Sequence, residues 1–157
     1  MRRDYFTLEV IDAGWVDTDG SPTMPKLEIS YEGPRETLTF DFLKTDGELP
    51  PAAAVDVSLR LQDTIEDPES QGVLSLSDRL TGDLFFEMNV HVDPMLDFIR
   101  AARRYGETVS DAAGRYTVTI HVGDEHHLTF DKRTLLVYNS EGNLLRQHSI
   151  IPSGVEL

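Results

Sequence analysis

The chain has no cysteine. That excludes a disulfide framework, a thiolate nucleophile and any cysteine-ligated zinc or iron–sulfur site. Lysine is almost missing: Lys26, Lys44 and Lys132 are the only three, against eleven arginines. Trp15 is the one tryptophan. No stretch approaches the ~20 apolar residues of a membrane helix, so no membrane partner is expected. A G-x-S-x-G elbow, a phosphate-binding Walker loop and a G-x-G-x-x-G fingerprint are all lacking, and the glycines stand singly at turns. No cofactor is expected. The start, Met1-Arg2-Arg3-Asp4-Tyr5-Phe6, hints at a twin-arginine signal. Glu9 and Asp12 interrupt the apolar region such a signal needs. This segment therefore reads as a first strand, and the expected compartment is the cytoplasm.

Acid is what the chain has in abundance. Asp and Glu number 28 against 14 Lys and Arg, for a formal charge of −14. Acid excess with lysine depleted is the composition expected of a protein bathed in molar salt. The Debye length is about 3 Å at 1 M salt, so long-range fields vanish there. The carboxylates are then read as a hydrated coat rather than as a site. The 157 residues suit a single domain, 1–157, that buries roughly 70% of its unfolded surface.

Period-2 alternation runs along most of the chain. Phe6, Leu8 and Val10 alternate with polar neighbours, as do Leu27, Ile29 and Tyr31, then Leu38, Phe40 and Phe42, and then Val55, Val57, Leu59 and Leu61. Further runs cover Val73–Ser77, Leu84–Val92, Tyr116–Val122, Leu128–Phe130, Thr134–Tyr138 and Leu144–Ile151. One wet and one dry face is the pattern of antiparallel sheets. Turn dipeptides at Asp19-Gly20, Asp46-Gly47, Thr81-Gly82 and Gly123-Asp124 separate the runs, and Asn139-Ser140-Glu141-Gly142 suits a bulged hairpin turn. From Arg115 onward the chain reads as a four-stranded meander.

One segment departs from the alternation. Met95, Phe98, Ile99, Ala102 and Tyr105 recur at helical spacing, which predicts a helix from Asp93 to Gly106. Asp93 is placed to cap it, Pro94 to occupy its first position and Gly106 to close it in the left-handed region. Lys44–Ala54, with Pro50-Pro51, reads as an extended connector. The acidic stretch Asp63–Gly72 reads as a surface loop and a possible lobe boundary.

The candidate binding surface is the helix end, Arg100, Arg103, Arg104 and Tyr105, a basic patch in an acidic chain. Its plainer explanation is cations meeting the negative pole of the helix dipole. A second candidate is a metal site from His91, His121 and Asp93, although their spacing does not require convergence. His126 and His127 point to opposite faces of a strand. The acid pairs Asp17/Asp19, Glu66/Asp67/Glu69 and Asp124/Glu125 lack the calcium-loop pattern. Trp15 reads as a plug at the end of the core. Phe85 and Phe86 should face opposite ways, with the helix covering the outer one.

The segments MRRDYFTLEV, Leu80-Thr81-Gly82-Asp83 and DFIRAARRYGE (97–107) resemble an uncharacterised haloarchaeal family of domain-of-unknown-function proteins, over essentially the whole chain. The resemblance implies the salt-adapted compartment and no catalytic residue. Together these features predict a mainly β protein: an antiparallel sandwich or flattened barrel of about ten strands with one α-helix, or an α+β fold in which that helix is a crossover. The expected role is a non-catalytic binding or interaction module with a protein partner or self-association. The alternatives are a nucleic-acid-associated protein using the arginines and a metal-dependent enzyme using the strand histidines.

Overall fold

The computed structural model describes residues 5–18, 20–34, 55–64, 67, 69–79, 81–82, 84–110, 114–122 and 126–151. Among these the chain forms eight strands in two sheets and one main helix. The strands are β1 (Phe6–Ile11), β2 (Lys26–Tyr31), β3 (Val55–Leu61), β4 (Gln71–Asp78), β5 (Leu84–His91), β6 (Tyr116–Val122), β7 (His126–Lys132) and β8 (Leu136–Tyr138). A short helix α1 (Trp15–Thr18) follows β1, and α2 (Val92–Tyr105) follows β5. Sheet A has the order β1-β2-β6-β7, and sheet B the order β5-β4-β3-β8.

The alternation that predicts the strands also decides which face is dry. β3 buries Val55, Val57, Leu59 and Leu61 and turns Asp56, Ser58 and Arg60 outward. β2 buries Leu27, Ile29 and Tyr31 in the same way. These residues join Val118, Ile120, Leu74, Leu76, Met88 and Val137 in one core that both sheets share. Phe6 of sheet A stacks on Phe86 of sheet B at 4.5 Å between ring centroids. Leu8, expected in the core, is only half-buried. Phe40 and its run, the Lys44–Ala54 connector and the Asp46-Gly47 and Gly123-Asp124 turns lie outside the described residues.

Helix α2 carries the chain from sheet B to sheet A, so it is not a crossover within one sheet. Its stripe of Met95, Phe98, Ile99 and Ala102 is buried, and Phe98 meets Tyr116 edge-on at 5.2 Å. The predicted ends are corrected. The helix begins at Val92, with His91 as the capping residue and no side-chain cap bond, so Asp93 is already inside it. Gly106 is right-handed, φ −58° and ψ −44°, and the chain continues into a π-helical turn, Gly106–Ser110.

The meander after Arg115 is also corrected. β6 and β7 form an antiparallel hairpin in sheet A. The chain then crosses to sheet B, where β8 lies parallel to β3, with Leu136 opposite Ser58 and Tyr138 opposite Arg60. β2 and β6 are parallel too. Each sheet is entered twice by the chain, and the returning strand lands parallel to one already there. Period 2 is the same for both pairings, so the pattern could not separate them. The last run, Leu144–Ile151, makes single bridges to β8 and its flank, Leu144 with Tyr138 and Ile150 with Leu135, around a 3₁₀ turn at Arg146–His148. The strands on either side of the acidic stretch, β3 and β4, are adjacent in one sheet, and Gln71 and Gly72 already belong to β4.

A register shift between Leu76 and Ser77 opposes Phe86 to Leu76 and Leu84 to Ser77, which leaves Phe85 as the extra residue. Phe85 and Phe86 are both buried, and Leu84 is the one exposed large apolar residue among the described residues. The bulge breaks strict alternation at this pair, so parity alone does not assign their faces.

Candidate functional site

The helix end is the first predicted site. Arg100 reaches Asp17 of α1 at 2.9 Å and Asp97, one turn back, at 3.4 Å. Arg103 donates to the Gln147 carbonyl at 2.7 Å and so braces the C-terminal 3₁₀ turn. Arg104 is exposed and Tyr105 half-buried. Two of the three guanidinium groups therefore serve contacts within the chain. The predicted patch is mostly a clamp that holds α1 and the C-terminal segment onto α2.

The histidines occupy different sheets. His91 ends β5 in sheet B, and Asp93 follows it, exposed, in the first turn of α2. His121 lies on β6 in sheet A, with Nε2 3.7 Å from Glu28. Among the described residues no group of three His, Asp or Glu side chains is arranged to hold a metal ion. Trp15 is half-buried at the start of α1, and its Nε1 donates to the Thr23 carbonyl at 2.9 Å, which ties down the loop after the helix.

Two ionisable groups inside the fold are perturbed. Lys132 is buried at the end of β7, and its amine donates to the Val55 carbonyl of β3, a tie between the two sheets. Burial lowers the affinity of this amine for its proton, and the nearby Arg79 lowers it further, while Asp56 acts the other way. Tyr116 is fully buried and donates to the Thr134 carbonyl at 2.6 Å. Burial, and secondarily the charge of Asp56, hold its phenol protonated well above the usual range.

Among the described residues the outer face of each sheet carries a groove. On sheet A a groove of about 700 Å³ is lined by Thr7, Glu9, Glu28, Ser30, Glu32 and His121 among others. Glu9 and Glu28 are directly opposed across β1 and β2, a like-charge pair of the kind that destabilises a ladder.

On sheet B the groove is about 660 Å³, within the range of small-ligand sites, and its origin is legible in the register. Ser58 of β3, Ser75 of β4 and Glu87 of β5 stand in one row across three strands. The next row holds Tyr138, Arg60, Val73 and Asn89. Two serines side by side on central strands leave a low floor between taller neighbours. Arg60 stands on its rim, and its Nη2 donates to the Ser140 carbonyl at 3.1 Å. Ser140 lies in a turn that braces itself. The Asn139 side-chain oxygen accepts from the amides of Glu141 and Asn143, and Gly142 takes φ +85°, a region open to glycine at no steric cost. The alternation places Ser58, Arg60 and Ser75 on outer faces, but only the register brings them together. This groove is therefore a candidate that motif reading misses.

No curated protein and no solved structure matches the chain. A family model matches residues 1–157, so the chain belongs to a family of unknown function, DUF5793.

Proposed function

We propose that this protein is a non-catalytic binding module of a salt-adapted cytoplasm, and that it recognises its ligand on the outer face of sheet B. The observation that carries the reading is the braced guanidinium at the rim of a serine-floored groove of about 660 Å³. Arg60 spends one donor on Ser140 and is thereby held in place. Among the described residues its remaining donors meet no other partner. A cation fixed before binding loses less rotamer freedom when a ligand arrives. The helix end supports the reading less well, because Arg100 and Arg103 are committed to internal partners.

The test is a nuclear magnetic resonance titration of the whole chain in strong salt, with separate sets of sugars, nucleotides, amino acids and short peptides. Saturable shifts at the backbone amides of Ser58, Arg60, Ser75 and Tyr138 are expected from at least one set. If every set leaves those amides in place, the groove is not a ligand site.

A further inference from the structure

We propose that the groove on sheet B takes a short peptide with free termini, its carboxylate on Arg60 and its ammonium on Glu87. This rests on the reading of the groove as a ligand site. Three observations point to that class. The first is charge of both signs across one floor. Arg60 stands on β3, and Glu87 stands two strands away on β5, one row along. A groove for a simple anion would not place a carboxylate opposite its arginine, whereas a ligand charged at both ends is attracted at both.

The second observation is the span. Strand spacing of about 4.8 Å and a rise of about 3.3 Å per residue set the Cα atoms of Arg60 and Glu87 about 12 Å apart. The Ser140 carbonyl draws the guanidinium towards the β8 side, away from Glu87. A free amino acid is too short to meet both charges. Three or four extended residues, at about 3.3–3.6 Å each, cover the distance.

The third observation is the floor. The hydroxyls of Ser58 and Ser75 each donate and accept, which suits the alternating N–H and C=O groups of a peptide backbone. Arg60 offers the forked donor geometry that matches a carboxylate, and Tyr138 stands beside it in the same row. Glu87 accepts more than one donor, so its existing contacts do not bar an ammonium.

The test uses tri-alanine as the probe, titrated into the folded chain while the amides of Ser58, Arg60, Ser75 and Tyr138 are followed. Tri-alanine is expected to shift them saturably. Its C-terminal amide is expected to bind at least tenfold more weakly, its N-acetyl form several-fold more weakly, and free alanine to fail to saturate. Arg60→Gln is expected to erase the preference for acid over amide, and Glu87→Gln the penalty for N-acetylation. Equal binding of the acid and the amide by the unaltered chain overturns the proposal without relying on any variant folding. Shifts at these amides from sugars or nucleotides, with none from tri-alanine, overturn the peptide and leave the ligand site standing. Silence from every probe overturns both.

Discussion

Replacing Lys132 by methionine isolates the buried amine that ties the two sheets. Methionine keeps the length and the apolar stem of the side chain and removes the amine. Two terms oppose each other at neutral pH. The Val55 carbonyl loses its donor, which costs about 1–3 kcal/mol if it is left buried and unpaired. The desolvation of an ammonium beside Arg79 is relieved, which returns a comparable amount. The variant is therefore expected within about 2 kcal/mol of the parent at pH 7, with a sign that the single measurement does not interpret. The pH dependence does. The amine titrates lower in the folded chain than in the unfolded chain, so between those two values the unfolded chain binds more protons and the parent gains stability as pH rises. Methionine has nothing to titrate. Relative to the parent, the variant must lose ground from the lowered folded value up to about 10.4, the ordinary lysine value, by about 1.4 kcal/mol for each unit of depression. Denaturant unfolding at several pH values from 7 to 10 reads this directly. The Tyr116 contribution is common to both proteins and cancels. A difference that stays flat or moves in the variant's favour as pH rises would refute the buried-amine argument.

Tyr116→Phe removes a buried donor and orphans the Thr134 carbonyl, and a loss of about 1–3 kcal/mol is expected at pH 7. The phenol titrates higher when folded, so its contribution is full below about pH 10 and falls away above it, and the variant should lack that alkaline decline. Gly114→Ala should cost about 1–3 kcal/mol in thermal or denaturant unfolding, because the added carbon would lie 2.3 Å from the Ile150 Cγ2 methyl. Ser70 is buried with no partner for its hydroxyl among the described residues, so Ser70→Ala should leave stability unchanged or raise it in the same assay. Arg100→Ala removes exposed ion pairs worth about 0–1 kcal/mol, and this cost should shrink in 1 M salt. Arg103→Ala removes a short contact to a neutral carbonyl, so its cost should persist in the same salt.

The strands of the core were legible because period 2 survives wherever one face is dry. β2 and β3 follow their alternation residue for residue. The stripe of α2 and the glycine of the Asn139–Gly142 turn were legible for the same local reason: spacing and backbone freedom are written in adjacent residues. Lys132 was legible in principle, since it shares its parity with the buried Leu128 and Phe130. What escaped depends on partners distant in sequence. Ser58 and Ser75 become neighbours only through the β3–β4 register, and Tyr138 joins Arg60 only because β8 crosses to sheet B. The bulge at Phe85 and the right-handed Gly106 are tertiary choices that override a local signal.

The same distinction gives the arginine-rich composition a physical use. Arg60 and Arg103 both donate to backbone carbonyls of the C-terminal segment, Ser140 and Gln147. Neither contact needs a second charge. In strong salt an ion pair at the surface is screened, while a hydrogen bond to a neutral oxygen acts at contact distance and is not. A guanidinium has five donors in a fixed fork, so it can hold a carbonyl and still face a ligand. An ammonium is a compact point charge on a flexible stem and is more strongly hydrated. Lys132, whose amine is buried against the Val55 carbonyl, shows what lysine can still do: it joins the two sheets inside the fold. Lys26 on β2 is exposed, however, and Arg79 and Arg100 hold exposed ion pairs with Asp56 and Asp17, so the division is by partner and not by residue type: the basic contacts that outlast screening are those made to carbonyls.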